Sequence, residues 1–319
     1  PPDAEIYHDP EWLAFLRESQ GAEIVTAAVL ANGQPVGYFV GGIVRRYGLR
    51  MLGSPMTGWG TPRLGFLLEP GADRRAAAEA LLQFAFQDLG CVHVELGDAG
   101  LAGDALAGAG YGMEGGRTFL LDLARSEQEI LEGMHERTRR YVRSGPGKGL
   151  VVEQARGEDF AAEFHAQLTQ VFARQGLAPT YDEERVRQLI RHLEPSDKVL
   201  LLRVLDASGT CMATSISIGS HTREILWGAA SLRAYSSVHP NEVLHWAAIR
   251  HWRSRGFVLF DFGGGGEYKA KYGGVETSSH RYVAYRYSLL RHGRAAVRGL
   301  VRRRQMAAGR RLNAVVEKP

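Results

Sequence analysis

The feature that most constrains this chain is an order of elements that occurs twice. In residues 7–122 a helix signal (YHDPEWLAFLRES) is followed by two apolar strands, AEIVTAAVL and QPVGYFVGGIV, joined at Asn32-Gly33. The strand pair reads as a hairpin because Asn-Gly supplies the left-handed backbone that a two-residue turn needs. A Gly/Pro-rich loop, a helix pattern over residues 73–88 and the strands CVHVELG and GRTFLLDL complete this half. The order then returns. Ser126 starts one basic helix, SEQEILEGMHERTRRYVRS, and helical patterns cover 157–175 and 181–193. The strand KVLLLRVLD, the hairpin TCMATSISIG and ILWGAAS around SHTRE, the helix 240–255 and the strands FVLFDF and RYVAYRYSLL follow. Strands alternating with helices bury their apolar faces as α/β layers. The expectation is an α/β protein of two similar domains, 1–123 and 124–290, with a basic helix in 291–319.

Composition supports two cores and suggests a partner. The chain has 319 residues, of which 45% are hydrophobic, enough for about two domains. Its formal charge of +4 is unevenly placed, with no acidic residue from Thr277 to Val316. Arginines at 291, 294, 298 and 302 form one stripe, and Val297, Leu300 and Val301 would lie opposite it. Such a tail reads either as a site for a polyanion or as a solvated helix face. Cys91 and Cys211 sit among apolar strand residues and read as reduced thiols, which fits a cytoplasmic protein. No secretory signal pattern opens the chain, and apolar runs such as VGYFVGGIV fall short of the ~20 residues of a membrane helix. A soluble protein without an integral membrane segment is expected.

Several chemistries lack their motifs. There is no G-x-S-x-G, no H-E-x-x-H and no C-x-x-C. His245 and His251 are six residues apart on one helix, a spacing that suits structural or surface roles better than shared metal ligation. The GPGKG run at 145–149 lacks both the spacing and the Ser or Thr of a phosphate loop. After Gly264 and Gly266, the third glycine of a dinucleotide fingerprint is replaced by Lys269. No metal and no resident cofactor are expected.

The informative stretch is DFGGGGEYKAKYGG, residues 261–274. A glycine run leaving the C-terminal end of a strand lets backbone approach a ligand, and ligands of α/β folds gather at such ends. Lys269, beside Tyr268, is then aimed at a cleft. Asp261 could accept a proton from a reacting amine, or it could cap the loop by accepting from its amides. Glu267 and a substrate-assisted route are the other sources of a base. Lys271 reads as an exposed loop lysine, although it stands with Gly263, Gly264, Gly265 and Tyr272 among the loop positions that could contact substrate or phosphate.

This block, with ILWGAAS and PNEVLHWAAIRHWRSRG before it, resembles the Fem family of aminoacyl-tRNA-dependent peptidyltransferases, within the tandem GNAT-fold (FemAB-like) acyltransferases. The matching pattern is Asp261, Gly263, Tyr268-Lys269, Ala270-Lys271 and Tyr272-Gly273. HERTRRYVRSGPGKGLVV, PEWLAFL and GSPMTGWGTP add looser matches, and the similarity covers most of residues 7–290. The resemblance implies two tandem GNAT-like domains, each a mixed, mostly antiparallel sheet flanked by helices. It also implies that residues 291–319 return to the first domain. The implied chemistry is attack of an amine on the ester of an aminoacyl-tRNA, with Lys269 stabilising the oxyanion.

The donor is the open question. Coenzyme A users of this fold carry an [R/Q]-x-x-G-x-[G/A] loop whose amides bind pyrophosphate at a helix start. Where the second domain should carry it, the chain reads LRAYSSVHPNEVL, without glycine. A charged tRNA needs a basic surface instead. Arg137, Arg139, Arg140, Arg143 and Lys148 provide one, unless they only complement a helix C-terminus. The acceptor would be an amine on a peptidoglycan precursor or a small metabolite. An acyl-CoA-dependent N-acyltransferase is the alternative enzyme, and a non-catalytic RNA- or partner-binding module is the third reading.

Overall fold

The computed structural model describes residues 4–290. The expected basic helix in 291–319, with its arginine stripe, lies outside the described residues.

In chain order the elements are α1 (Pro10–Gln20), β1 (Glu23–Ala31), β2 (Gln34–Arg46), β3 (Leu49–Ser54), β4 (Phe66–Leu68), α2 (Arg74–Gln83) and β5 (His93–Leu96). Then come β6 (Gly112–Asp122), α3 (Glu127–Gly133), α4 (Glu136–Ser144), β7 (Val151–Ala155), α5 (Phe160–Ala173) and α6 (Glu183–Leu193). The described residues end with β8 (Val199–Leu205), β9 (Cys211–Ser220), β10 (Arg223–Ser231), α7 (Pro240–Ser254), β11 (Leu259–Gly264) and β12 (Val275–Tyr285). Among the described residues no helix is long and apolar enough to cross a membrane.

The contacts divide the described chain into two units, 4–117 with 278–290, and 118–277. In the first unit the strands run β1-β2-β3-β5-β12, with β4 added on β2. Only β3 and β5 pair in parallel. Asn32 and Gly33 take positive φ values of 51° and 77°, which turns β1 back onto β2 with Ala31 opposite Gln34. Asp73 caps α2 by accepting from Ala76 N at 3.0 Å. That helix then presents Ala77, Ala78 and Leu81 to Phe39, Ile43, Val94 and Leu96 of the sheet. Tyr282 and Ala284 of β12 belong to the same core.

In the second unit the strands run β6-β11-β10-β9-β8-β7, with β10 and β11 the parallel pair. The core gathers Leu244, Ala248, Ile249 and Trp252 of α7 against Leu200, Leu202, Met212 and Phe260 of the sheet, with Ile130 of α3 and Val142 of α4. Helix α5 packs on β9 and β10, and α6 packs on α5. Cys91 is buried and Cys211 half-buried, both as thiols.

The single helix expected from Ser126 through Ser144 is instead two. Ser126 and Glu129 form a capping box at the start of α3, worth about 1 kcal/mol for such a cap. At Met134 and His135 the backbone turns extended (ψ 152° and 140°). Gly133 is a poor helix former just before the break. The His135 amide, freed from the helix, donates to Lys271 O at 2.9 Å. A tertiary hydrogen bond thus replaces a helical one, which a one-dimensional pattern does not show.

Candidate active site

Strands β10 and β11 pair over three residues, Arg223–Ile225 with Leu259–Asp261. Beyond Asp261, β11 continues to Gly264, which pairs with Thr118 of β6. The glycine loop therefore leaves the sheet where the parallel pair ends. Asp261 is buried. Its Oδ1 accepts from Gly263 N at 2.8 Å and from the Thr118 hydroxyl. The loop-capping role read from the sequence is thus present. Gly263 has φ +71°, and a Cβ there would lie 3.1 Å from Leu226 O, so both backbone sign and space require glycine. Gly264 and Gly265 are exposed, Gly265 with φ +106°.

Residues Glu267–Tyr272 form a short 3-10 helical turn. Side chains three apart share a side of such a turn, and here Lys269 and Tyr272 are the pair that faces inward. Lys269 is 8% exposed and Tyr272 0%, while Tyr268 remains 55% exposed. Lys269 Nζ donates to the carbonyls of Phe262 (2.5 Å), Gly263 (3.2 Å) and Gly264 (2.8 Å). An ammonium has three protons, so this lysine closes the glycine loop on itself. Burial lowers its pKa, and the charge of Asp261 opposes that shift.

Lys271 is not the exposed loop lysine expected from the sequence. Its Nζ donates to Glu242 Oε1 of α7 at 2.7 Å, and its side chain is 33% exposed against 9% for the glutamate. The ammonium lies 5.7 Å from the Tyr268 ring centre and 5.1 Å from that of Tyr272. Lys269 Nζ is 6.0 Å from the same Tyr268 ring, so that tyrosine is the shared neighbour of both cations. Behind them lies His245 of α7, 2% exposed, edge-on to Tyr272 at 4.9 Å and to Phe262 at 6.2 Å. Burial, then the charges of Lys271 and Lys269, push its pKa down to about 3. The imidazole is neutral. His245 Nδ1 and Tyr272 Oη are both buried without a hydrogen-bond partner among the described residues.

Glu224 of β10 is a further buried carboxyl. Neither of its oxygens has a hydrogen-bond partner among the described residues. Burial raises its pKa well above the carboxylate range, with the charge of Asp261 adding to the effect.

The basic cluster read from residues 137–148 divides. Arg139 Nη1 donates to Glu132 O (2.7 Å) and Met134 O (3.1 Å), which caps the end of α3. Arg137 and Arg143 are exposed on α4. Arg140 and Lys148 flank the Tyr141 ring at 5.4 and 5.8 Å. Tyr141 stacks on His239 at 3.5 Å and 14°, and His239 stands at the N-cap of α7 with φ 60°. Two cations and an aromatic pair thus meet the positive end of a 15-residue helix. Among the described residues no group of three His, Cys, Asp or Glu could hold a metal ion.

Residues 133–272, which contain the glycine loop, the Lys269–Tyr272 turn and α7, match the acetyltransferase (GNAT) domain family. The fold extends the likeness to the rest of the chain. A crystal structure of FemX superposes with a TM-score of 0.71 over 89% of this chain and 93% of its own, at 13% identity. The protein has the FemAB-like tandem GNAT fold. A tandem GNAT protein from the clavulanic acid biosynthesis pathway is similar at a TM-score of 0.53, 13% identity and 86% coverage of each chain. L-PGS from Bacillus licheniformis is similar at 0.54 and 13% identity, over 93% of this chain and 98% of its own. No curated protein sequence matches significantly. The GNAT domain makes this FemAB-like chain a transferase of the acyltransferase class.

The sequence brought Asp261, Gly263, Tyr268, Lys269 and Tyr272 to one place, and the structure keeps them together. It missed Glu242, His245, Tyr141 and His239. For the α7 pair a signal existed: Glu242 and His245 lie three apart among the apolar positions Val243, Leu244, Ala248 and Ile249. Polar residues there are expected to have partners.

Proposed function

We propose that the protein is a Fem-like aminoacyltransferase, joining an amino acid from a charged tRNA to an amine by an amide bond. The observation that carries this reading is the start of α7. In place of a glycine loop, residues Arg233–Val238 coil into a short 3-10 turn that ends on His239. Tyr141 stacks on that histidine, between Arg140 and Lys148. Pro240 at the first helical position has no amide to offer a pyrophosphate. Exposed cations beside stacked rings suit the 3′ end of an RNA better than a buried pyrophosphate cradle. The likeness in fold to FemX along nearly its whole length supports a Fem-like transferase.

In this reading Lys269 exchanges its longest bond, the 3.2 Å contact with Gly263 O, for the charge that develops on the ester oxygen. Its two other bonds keep it aimed. Oxyanion donors of this kind contribute about 2.7–4 kcal/mol. The acceptor is an amine of a peptidoglycan precursor or a small metabolite, and Asp261 is held as a loop cap with its carboxylate near the lysine. Arg137, Arg143 and Lys148 contribute phosphate contacts around the donor.

The test is transfer of labelled amino acids from a charged tRNA pool to a panel of primary amines that includes a lysine-bearing pentapeptide. Arg140→Glu with Lys148→Glu should weaken binding of charged tRNA. It should also flatten its dependence on log salt by about 0.7 per lost phosphate contact. Transfer from acetyl-CoA but not from tRNA would favour the second reading, an acyl-CoA-dependent N-acyltransferase. The match of residues 133–272 to an acetyltransferase domain supports that alternative.

A further inference from the structure

Forming an amide from an amine and an ester or thioester moves one proton as well as one acyl group. The amine nitrogen bonds to the carbonyl carbon, and the carbon–oxygen or carbon–sulfur bond breaks. The nitrogen loses a proton and the departing oxygen or sulfur gains one, so no other reactant is needed. An oxyanion donor does not perform this transfer. Lys269 is poorly placed for it, since all three of its protons point at carbonyls.

We propose that Lys271 and Glu242 form the acid–base pair of this site. The proposal rests on the acyl-transfer reading but not on the identity of the donor. Lys271 uses one proton on Glu242 at 2.7 Å and leaves two for other acceptors. It is partly exposed, between the faces of Tyr268 and Tyr272. Glu242 sits in the first turn of α7 and is buried, with its ammonium partner at the open side. Its carboxylate takes the proton from the attacking amine while Lys271 gives one to the leaving oxygen or sulfur. The proton on Glu242 then passes to Lys271 across their hydrogen bond, and both groups return to their starting states.

The surroundings fit a pair that handles protons. The backbone of Lys271 is pinned by His135 N at 2.9 Å, so the ammonium hangs from a fixed point. The charged and titratable groups around the pair are His239 and His245 at α7, Tyr268 and Tyr272 on either side of the Lys271 ammonium, and Lys269 on the loop. His245 is neutral and buried. It walls the pair from one side without competing for the proton. His245 Nδ1 and Tyr272 Oη lack partners in that same wall. Buried polar atoms are nearly always hydrogen-bonded, so this wall carries two unmet polar atoms beside the pair.

The experiment varies the leaving group. Wild type, Lys271→Met, Lys271→Arg and Glu242→Gln are compared with the tRNA pool and acetyl-CoA as donors, and with p-nitrophenyl esters of the same acyl groups. Nitrophenolate leaves without a proton at neutral pH. Lys271→Met should lose about 10²–10⁴-fold with the natural leaving group and less than about 10-fold with the nitrophenyl ester. Lys271→Arg keeps the charge but has no transferable proton, and should behave like Lys271→Met. Glu242→Gln should lose rate with both donors and recover it as rising pH supplies free amine. Equal losses of Lys271→Met with both leaving groups, or a loss below 10-fold with the natural one, overturn the pair. If Lys271→Met fails to fold by thermal unfolding, the same leaving-group ratio measured within Lys271→Arg decides. A wild type that transfers from none of these donors overturns the acyl-transfer reading, and the pair falls with it.

Discussion

Replacing Lys269 by Met should destabilise the second unit before any question of catalysis arises. Met keeps the length and volume of the aliphatic stem, so the loss is confined to the ammonium. Its three acceptors then differ in what they can recover. Gly263 and Gly264 are partly or fully exposed, and their carbonyls can turn to water, whereas the bond to Phe262 O is buried. A buried acceptor left without a donor costs about 1–3 kcal/mol, and charge-assisted bonds contribute about 1.5–3 kcal/mol each. Relief of the burial that lowers the lysine's pKa offsets part of this. The net expectation is a loss of about 2–3 kcal/mol, or a fall in Tm of about 4–12 °C for a unit of this size. Thermal unfolding and amide hydrogen exchange over Gly263–Gly266 would measure it, with exposed Lys148→Met as a control expected within about 0.5 kcal/mol of wild type. A Lys269→Met protein with unchanged Tm and unchanged loop protection would refute the three-carbonyl clamp.

Two pH effects follow from buried groups. His245 has a pKa of about 3 in the fold against 6.5 when unfolded, so the unfolded chain takes up a proton that the native state refuses. Stability from this group is intact above pH 6.5 and falls by about 1.4 kcal/mol per unit as pH drops toward 3. Urea titrations of His245→Phe should show a shallower loss across that window. Glu224 behaves in the opposite sense. Its raised pKa means that stability is fully present below the unfolded carboxylate's value and declines as pH rises through the folded one. Glu224→Gln should therefore raise Tm relative to wild type at pH 7–8 and match it near pH 4.

Much of this was legible in the sequence because it is local. The β1–β2 hairpin follows from Asn32-Gly33 and alternating apolar strands, and α7 and β11 follow from their own periodicity. The inward turn of Lys269 is encoded in Tyr268-Lys269 and Tyr272-Gly273, since a 3-10 turn places residues 269 and 272 on one side. What was not legible depends on distant partners. The break at Met134 answers to a carbonyl at Lys271, and Lys271 answers to Glu242. Arg139 reads as one more cation of a basic helix, yet it is held by the carbonyls of Glu132 and Met134. Spacing shows which residues share a face but not what that face meets.

The path of β12 has a consequence for how the protein is made. Its residues Tyr282–Tyr285 pair with His93–Leu96, and Tyr282 and Ala284 complete the core of the first unit. A ribosome has therefore synthesised all of residues 118–277 before the first unit receives its last strand. Until then β5 presents an unpaired edge, a template for wrong pairing. Residues 118–277 of the second unit are contiguous and can fold as soon as they emerge. The amino-terminal half, first in sequence, is the last to be finished.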